Sequence, residues 1–134
     1  IAESTFLSSP AVSSRIGKLV REDIITGYHA AVDPVKLGYH ITAYVNLDVL
    51  HVEKLVFYER MAEIPNVLEC SCVTGDYSML LKVAFSSTME LDAFIGEVQK
   101  YGKTNTQIVL STPVGPRGAD CMEAGDSFLR STNE

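Results

Sequence analysis

Ile41-Thr42-Ala43-Tyr44-Val45-Asn46-Leu47-Asp48-Val49 alternates without a break: Ile41, Ala43, Val45, Leu47 and Val49 fall on one side, and Thr42, Tyr44, Asn46 and Asp48 on the other. Side chains two apart on an extended chain share a face, so the pattern predicts a strand with one face on a core. The period then changes. Residues 52–64 mix Val52, Leu55, Val56 and Ala62 with charged residues and stop before Pro65-Asn66, as a helix ending ahead of a proline does. Residues 67–74 and 77–85 are β-rich runs meeting at Gly75-Asp76, which predicts a hairpin. Ser87 followed by Glu90 is a capping-box pattern, and Leu91, Phe94, Ile95 and Val98 form a helical stripe ending at Gly102. A last strand is expected over residues 106–112, where Ile108 and Leu110 alternate against Val109, with Pro113, Gly115, Pro116 and Gly118 ending it.

The order β-α-β-β-α-β predicts an α+β domain of the split-βαβ, ferredoxin-like arrangement: an antiparallel sheet with both helices on one face. Tyr77, Met79, Leu81, Val83 and Phe85 share one side of their strand, yet Leu80 and Ala84 on the other side are also apolar. A sheet apolar on both faces is expected to pack against another subunit. On the N-terminal side, Ser9-Pro10 joins an N-cap residue to a proline suited to a first helical turn, predicting a helix to about Arg21. Val12, Ile16, Leu19 and Val20 make its apolar stripe, and Ala11, Ser14, Lys18 and Arg21 lie opposite. Residues 24–32, β-branched but broken by Gly27, predict a short hairpin or extended arm, and Asp33-Pro34 and Gly38 mark turns. The expected organisation is therefore a helical region with its arm over 1–32, a linker over 33–40, a ferredoxin-like domain over 41–115 and a polar tail over 116–134. The chain opens at Ile1 with no initiator Met, and Ile1-Ala2-Glu3-Ser4 reads as the end of a helix already under way, so a fragment is expected.

The 134 residues, 46% of them hydrophobic, suffice for a real core. No apolar run approaches the roughly 20 residues a membrane helix needs, and no signal-peptide order is present, so the expectation is a soluble cytoplasmic protein without a membrane partner. Cys70, Cys72 and Cys121 are odd in number and not spaced as a disulfide framework, which suits a reducing compartment. A net charge of −6 argues against a surface that meets nucleic acid everywhere. Between Leu7 and Arg21, however, stand Arg15, Lys18 and Arg21 and no acidic residue, so any DNA contact would be local.

Cys70 and Cys72, two apart on a strand, would permit a soft-metal site but supply too few ligands, and read as small core or interface thiols. His29, His40 and His51 are not at metal-ligand spacing. With no Gly-rich phosphate loop, zincin motif or nucleophile elbow, no catalytic residue, metal or cofactor is expected. Ser13, Ser14, Arg15 and Lys18 fit either a solvated helix face or groove and phosphate contact. Gly75-Asp76-Tyr77 fits either a plain turn or a cradle for a ligand's ammonium or carboxylate.

The local sequences are similar to those of the leucine-responsive/asparagine-regulator (Lrp/AsnC) family. Leu7-Ser8-Ser9-Pro10-Ala11-Val12-Ser13-Ser14-Arg15-Ile16-Gly17-Lys18-Leu19 resembles its recognition helix. Ile25-Thr26-Gly27-Tyr28, Asp33-Pro34 and Leu37-Gly38 resemble its connecting segment. Val73-Thr74-Gly75-Asp76-Tyr77 with Leu80-Leu81-Lys82-Val83 resembles its effector-loop hairpin, and Ile108-Val109-Leu110-Ser111 its final strand. The resemblance covers residues 1 to about 115 and implies a partial winged helix-turn-helix, lacking its first helix, followed by a ferredoxin-like effector domain. It implies a sequence-specific DNA-binding transcription regulator, not an enzyme, that answers to a small effector such as an amino acid and forms a homo-dimer and an octamer. DNA contact is implied at Ser8, Ser9, Ala11, Ser13, Ser14, Arg15 and Lys18, and effector contact at Thr74, Gly75, Asp76, Tyr77, Thr106 and Gln107, in a cleft between subunits. The competing readings are a stand-alone ferredoxin-like dimeric enzyme or ligand-binding module without DNA binding, and a structural oligomerisation domain. The segment Ser8 to Arg21, a recognition-helix pattern with no use in such enzymes, separates them from the first.

Overall fold

A computed structural model describes residues 9–119, which form two compact units divided between Pro34 and Val35. In the N-terminal unit, α1 is described over Ser9–Arg21 and ends where the sequence predicts. Val12, Ile16 and Leu19 are half-buried, and Val20, expected in the same stripe, is 42% exposed. The helix closes without the glycine that usually marks such an end. The Ile24 amide donates to the Leu19 carbonyl at 2.9 Å and the Asp23 amide to Val20 at 3.1 Å, a Schellman pair in which Asp23 takes the left-handed position at φ 57°. Asp tolerates that conformation better than most side chains do. Residues 24–32 then run without a strand, so the hairpin considered for them does not form and the extended arm is what remains.

The C-terminal unit is the predicted α+β arrangement. β1 (Ile41–Leu47) leads through a single 3-10 turn (His51–Glu53) into α2 (Lys54–Ala62). β2 (Val67–Cys72) and β3 (Met79–Phe85) form the hairpin, followed by α3 (Thr88–Val98) and β4 (Thr104–Ile108). The four strands lie in the order β2-β3-β1-β4, every neighbouring pair antiparallel. One face of the sheet carries the core: Ala43, Val45, Leu47, Met79, Leu81, Val83 and Phe85 pack against Phe57 and Met61 of α2 and Leu91, Phe94 and Val98 of α3. Phe85 and Phe94 stand 5.2 Å apart between ring centres, as do Phe57 and Tyr101 in an edge-on pair. The helices are tied to each other by Arg60, whose guanidinium meets Glu97 Oε1 at 2.7 Å. The predicted capping box is present at α3, where Ser87 Oγ accepts from the Glu90 amide.

Two expectations need correction, and one feature of β2 has no signal in the sequence. The last strand runs over Thr104–Ile108 instead of 106–112: pairing with Leu47 and Asn46 of β1 carries Thr104 and Asn105 into the sheet although neither is apolar, and the pairing stops at Ile108, opposite Ala43. In α2 it is Phe57 and Met61 that turn inward, while Leu55 and Val56, and Val52 in the turn before them, are 75%, 61% and 84% exposed. The larger Phe and Met, one helical turn apart, claim the core face and rotate the aliphatic residues out. Finally β2 is bulged between Val67 and Glu69, so that Leu68 is set aside and Val67, Cys70 and Cys72 all face the core side.

Gly102 ends the connection from α3 at a point where a Cβ would overlap the Asp48 carbonyl oxygen, while the neighbouring Lys103 carbonyl accepts from the Asp48 amide at 3.0 Å. Gly102→Ala must therefore push the end of β1 away from the start of β4, and an overpacking cost of about 1–3 kcal/mol is expected. Urea denaturation checks it: the midpoint should fall with an unchanged slope. Gly96→Ala, with open space around its Cβ position, serves as the tolerated control.

Candidate functional site

The two sets of residues singled out in the sequence lie in different units. On α1, Ala11, Ser13, Ser14, Arg15, Lys18 and Arg21 are all exposed, with the apolar stripe on the other side. No acidic residue occupies the first turn, and Lys18 and Arg21 fall in the last, where they complement the partial negative charge of the helix end. The helix thus offers water a face of small hydroxyls and cations. Ser8 lies outside the described residues, as does the side chain of Ser9.

In the C-terminal unit, Thr74, Gly75 and Asp76 are exposed at the tip of the β2–β3 hairpin and Tyr77 is half-buried. Gly75 holds φ at 112°, a conformation open to glycine and costly for a residue with a side chain. The loop is closed by the Val73 amide donating to the Ser78 carbonyl at 2.8 Å, and anchored by Ser78 Oγ, which accepts from the Val49 amide at 2.9 Å. Ser78 is thus the residue that fixes the loop to the end of β1. Nothing in the sequence marks it, because its partner stands 29 positions away.

Thr106 pairs with Val45 and Gln107 with Tyr44. Alternation therefore puts Thr106 on the helix-covered side and Gln107 on the open face, in one row with Tyr44, Lys82 and Glu69. The hairpin loop belongs to β2 and β3, and β1 stands between β3 and β4. Two strand spacings, about 10 Å, then separate the loop from β4, so one chain does not bring Asp76 and Gln107 together.

A groove of about 450 Å³ opens between α2 and β2. Sequence reasoning assigned no chemistry to it. Lys54 Nζ stands 3.8 Å from Cys72 Sγ. Burial pushes the Tyr58 hydroxyl's pKa up, and the charge of Cys72 and a hydrogen bond with it add to the rise. Burial, then the charge of Cys72, raises that of the Cys70 thiol. Among the described residues no three or more His, Cys, Asp or Glu gather as a metal cluster, and no helix is long and apolar enough to cross a membrane.

Comparison with known proteins bears on both units. The Lrp/AsnC ligand-binding domain matches residues 42–118. The HTH-type transcriptional regulator YezC of Bacillus subtilis is 36% identical over 106 residues, covering 79% of this chain and 75% of its own length. The structure of B. subtilis LrpC, 27% identical, aligns with a TM-score of 0.75 over 82% of this chain and 79% of that one. A feast or famine regulatory protein from M. tuberculosis, solved in complex with L-methionine, aligns with a TM-score of 0.70 at 25% identity over 84% of this chain and 79% of its own. Ferredoxin-like strand order, a helix with a cationic face ahead of it, and these matches together place the chain in the Lrp/AsnC family of transcription regulators.

Proposed function

We propose that the chain regulates transcription by reading DNA with α1 and by taking an amino-acid effector between subunits of its C-terminal unit. The observation that carries the first part is the exposed, acid-free face of α1. A helix fits the major groove of B-form DNA, where Arg15 suits a guanine edge, and Lys18 and the serine hydroxyls suit phosphates. Ser8, Ser9, Ala11, Ser13 and Ser14 belong to the same contact face in this reading. The rest of the protein is acidic, with a net charge of −6 overall, so binding is confined to this helix and its surroundings. Such a regulator works beside the chromosome, in the cytoplasm of a bacterial or archaeal cell.

Two substitutions separate base reading from phosphate contact. Lys18→Ala should weaken binding to all duplexes alike and lower the slope of log affinity against log salt by about 1. Arg15→Ala should cost about 1–3 kcal/mol on the selected sequence and relax specificity there. Anisotropy titrations of a selected and a scrambled duplex at several salt concentrations measure both. Unchanged affinity and slope in the two variants would move the DNA surface off α1.

The effector site is proposed from Thr74, Gly75, Asp76 and Tyr77 of one chain with Thr106 and Gln107 of another. In its support, the loop and β4 stand on opposite sides of β1 within one chain, and a relative of the same fold was solved with L-methionine. Asp76 would pair with the ligand's ammonium and the backbone at Gly75 would approach its carboxylate. Binding only to the folded assembly adds about 2.7 kcal/mol of stability at a hundredfold excess over the dissociation constant. A thermal-shift screen of the common amino acids should therefore raise the melting temperature for at least one of them, and Asp76→Ala should lose the response. No shift with any amino acid overturns the effector class, and an equal shift in Asp76→Ala overturns the site.

The same reading requires assembly. Leu80, half-buried on the open sheet face, and Leu110, 96% exposed beyond the end of β4, offer apolar surface for a second copy. Sedimentation at micromolar concentration is expected to give a dimer and a higher even-numbered species, an octamer. Monomer alone would refute it.

A further inference from the structure

The groove between α2 and β2 is lined by Tyr58, Met61, Val67, Leu68, Cys70 and Cys72, with Lys54 at its rim. β2 is an edge strand, and its bulge at Leu68 sets the facing of everything after it. Cys70 pairs with Leu81 and Cys72 with Met79, so both thiols project beneath α2. Read from the sequence, two cysteines supply too few ligands for a metal. The fold adds the thioether of Met61 and the ammonium of Lys54.

Two positions along a strand are about 6.6 Å apart, whereas a disulfide needs Cβ atoms about 3.5–4.5 Å apart. The pair therefore stays as two thiols. Both cysteines line the groove, and a metal shared by them needs their sulfurs drawn to about 4.6 Å, twice a metal–sulfur bond of about 2.3 Å. A zinc ion asks for four ligands, and no cluster of three or more His, Cys, Asp or Glu exists among the described residues. A soft monovalent ion is satisfied by two thiolates and a thioether, and thiolate and thioether are the donors that select copper(I). Charge also favours it. One monovalent cation with two thiolates leaves a single negative charge, which the Lys54 ammonium, 3.8 Å from Cys72 Sγ, balances.

We propose that this groove binds one copper(I) ion through the thiolates of Cys70 and Cys72, with Met61 as third donor and Lys54 as counter-charge. Two sulfur–metal bonds form, the two thiol protons leave to solvent, and no electron is transferred.

The test is an anaerobic titration of the reduced full chain with copper(I) against bicinchoninate. One ion per chain should be withdrawn from the chelator, with near-ultraviolet thiolate-to-metal absorbance and two protons released. Cys121→Ser should behave as the wild type, Cys70→Ser and Cys72→Ser should abolish binding, and Lys54→Met should weaken it about tenfold. Because Cys70 is half-buried and its variant can disturb folding, a second measurement uses the unaltered chain. Copper(I) should protect Cys70 and Cys72, but not Cys121, from iodoacetamide as read by peptide mass, and zinc at the same concentration should protect neither. Failure to compete for copper(I), unchanged affinity in both cysteine variants, protection of Cys121 alone, or equal protection by zinc overturns the proposal.

Discussion

β1 hydrogen-bonds to a strand on each side, and Ala43, Val45 and Leu47 on it have no exposed surface. Fully burying a side chain such as Val or Leu is worth about 1.5–3 kcal/mol. A slip of one residue would put Thr42, Tyr44 and Asn46 in their place, and each unpaired buried polar group would cost about 1–3 kcal/mol. The register of this strand is therefore fixed, and the rest of the unit is fastened to it. Ser78 holds the hairpin loop to Val49, and the Lys103 carbonyl holds the start of β4 to Asp48. The candidate effector loop is thus placed by the end of β1 more than by its own sequence.

That dependence explains what was legible beforehand. The capping box of α3 is local: its signal lies within a turn of the helix it starts, and the observed start follows it. β1 is legible because its alternation reflects burial on one face only. The start of β4 is not, since Thr104 and Asn105 join the sheet through partners on β1 that no local pattern announces. Nor is the inward face of α2, where a short helix holds two competing apolar sets and the sheet beneath chooses Phe57 and Met61. The bulge in β2 is the clearest case. Without it Cys70 and Val67 would face opposite ways, and the groove under α2 would have a different lining. Of the candidate site residues, their placement on a helix face, a hairpin tip and an edge strand could be read; the separation of the tip from that edge could not.

Charge divides the molecule as the fold does. The exposed face of α1 is cationic and the chain as a whole is negative. For a protein that meets a polyanion this arrangement is an orienting device: the acidic surface is repelled, and the helix is the part that can approach. It also limits affinity, because one helix neutralises only a few phosphates.

In the proposed function a single α1 is therefore a weak reader, and its use depends on how many copies are presented together. Two helices carried on one assembly bind as linked modules, the second at an effective concentration set by the geometry of the first, and affinity can rise by about 10²–10⁴ without a new contact. The effector proposed to sit between chains would act on that geometry directly. It changes DNA binding only as far as its affinity differs between the arrangements available, and by linkage DNA changes the effector's affinity by the same factor. No alteration within α1 is needed. In this scheme the hairpin tip, Gln107 and the basic helix form one regulatory device because the loop and β4, kept apart by β1 within a chain, are completed by a second copy.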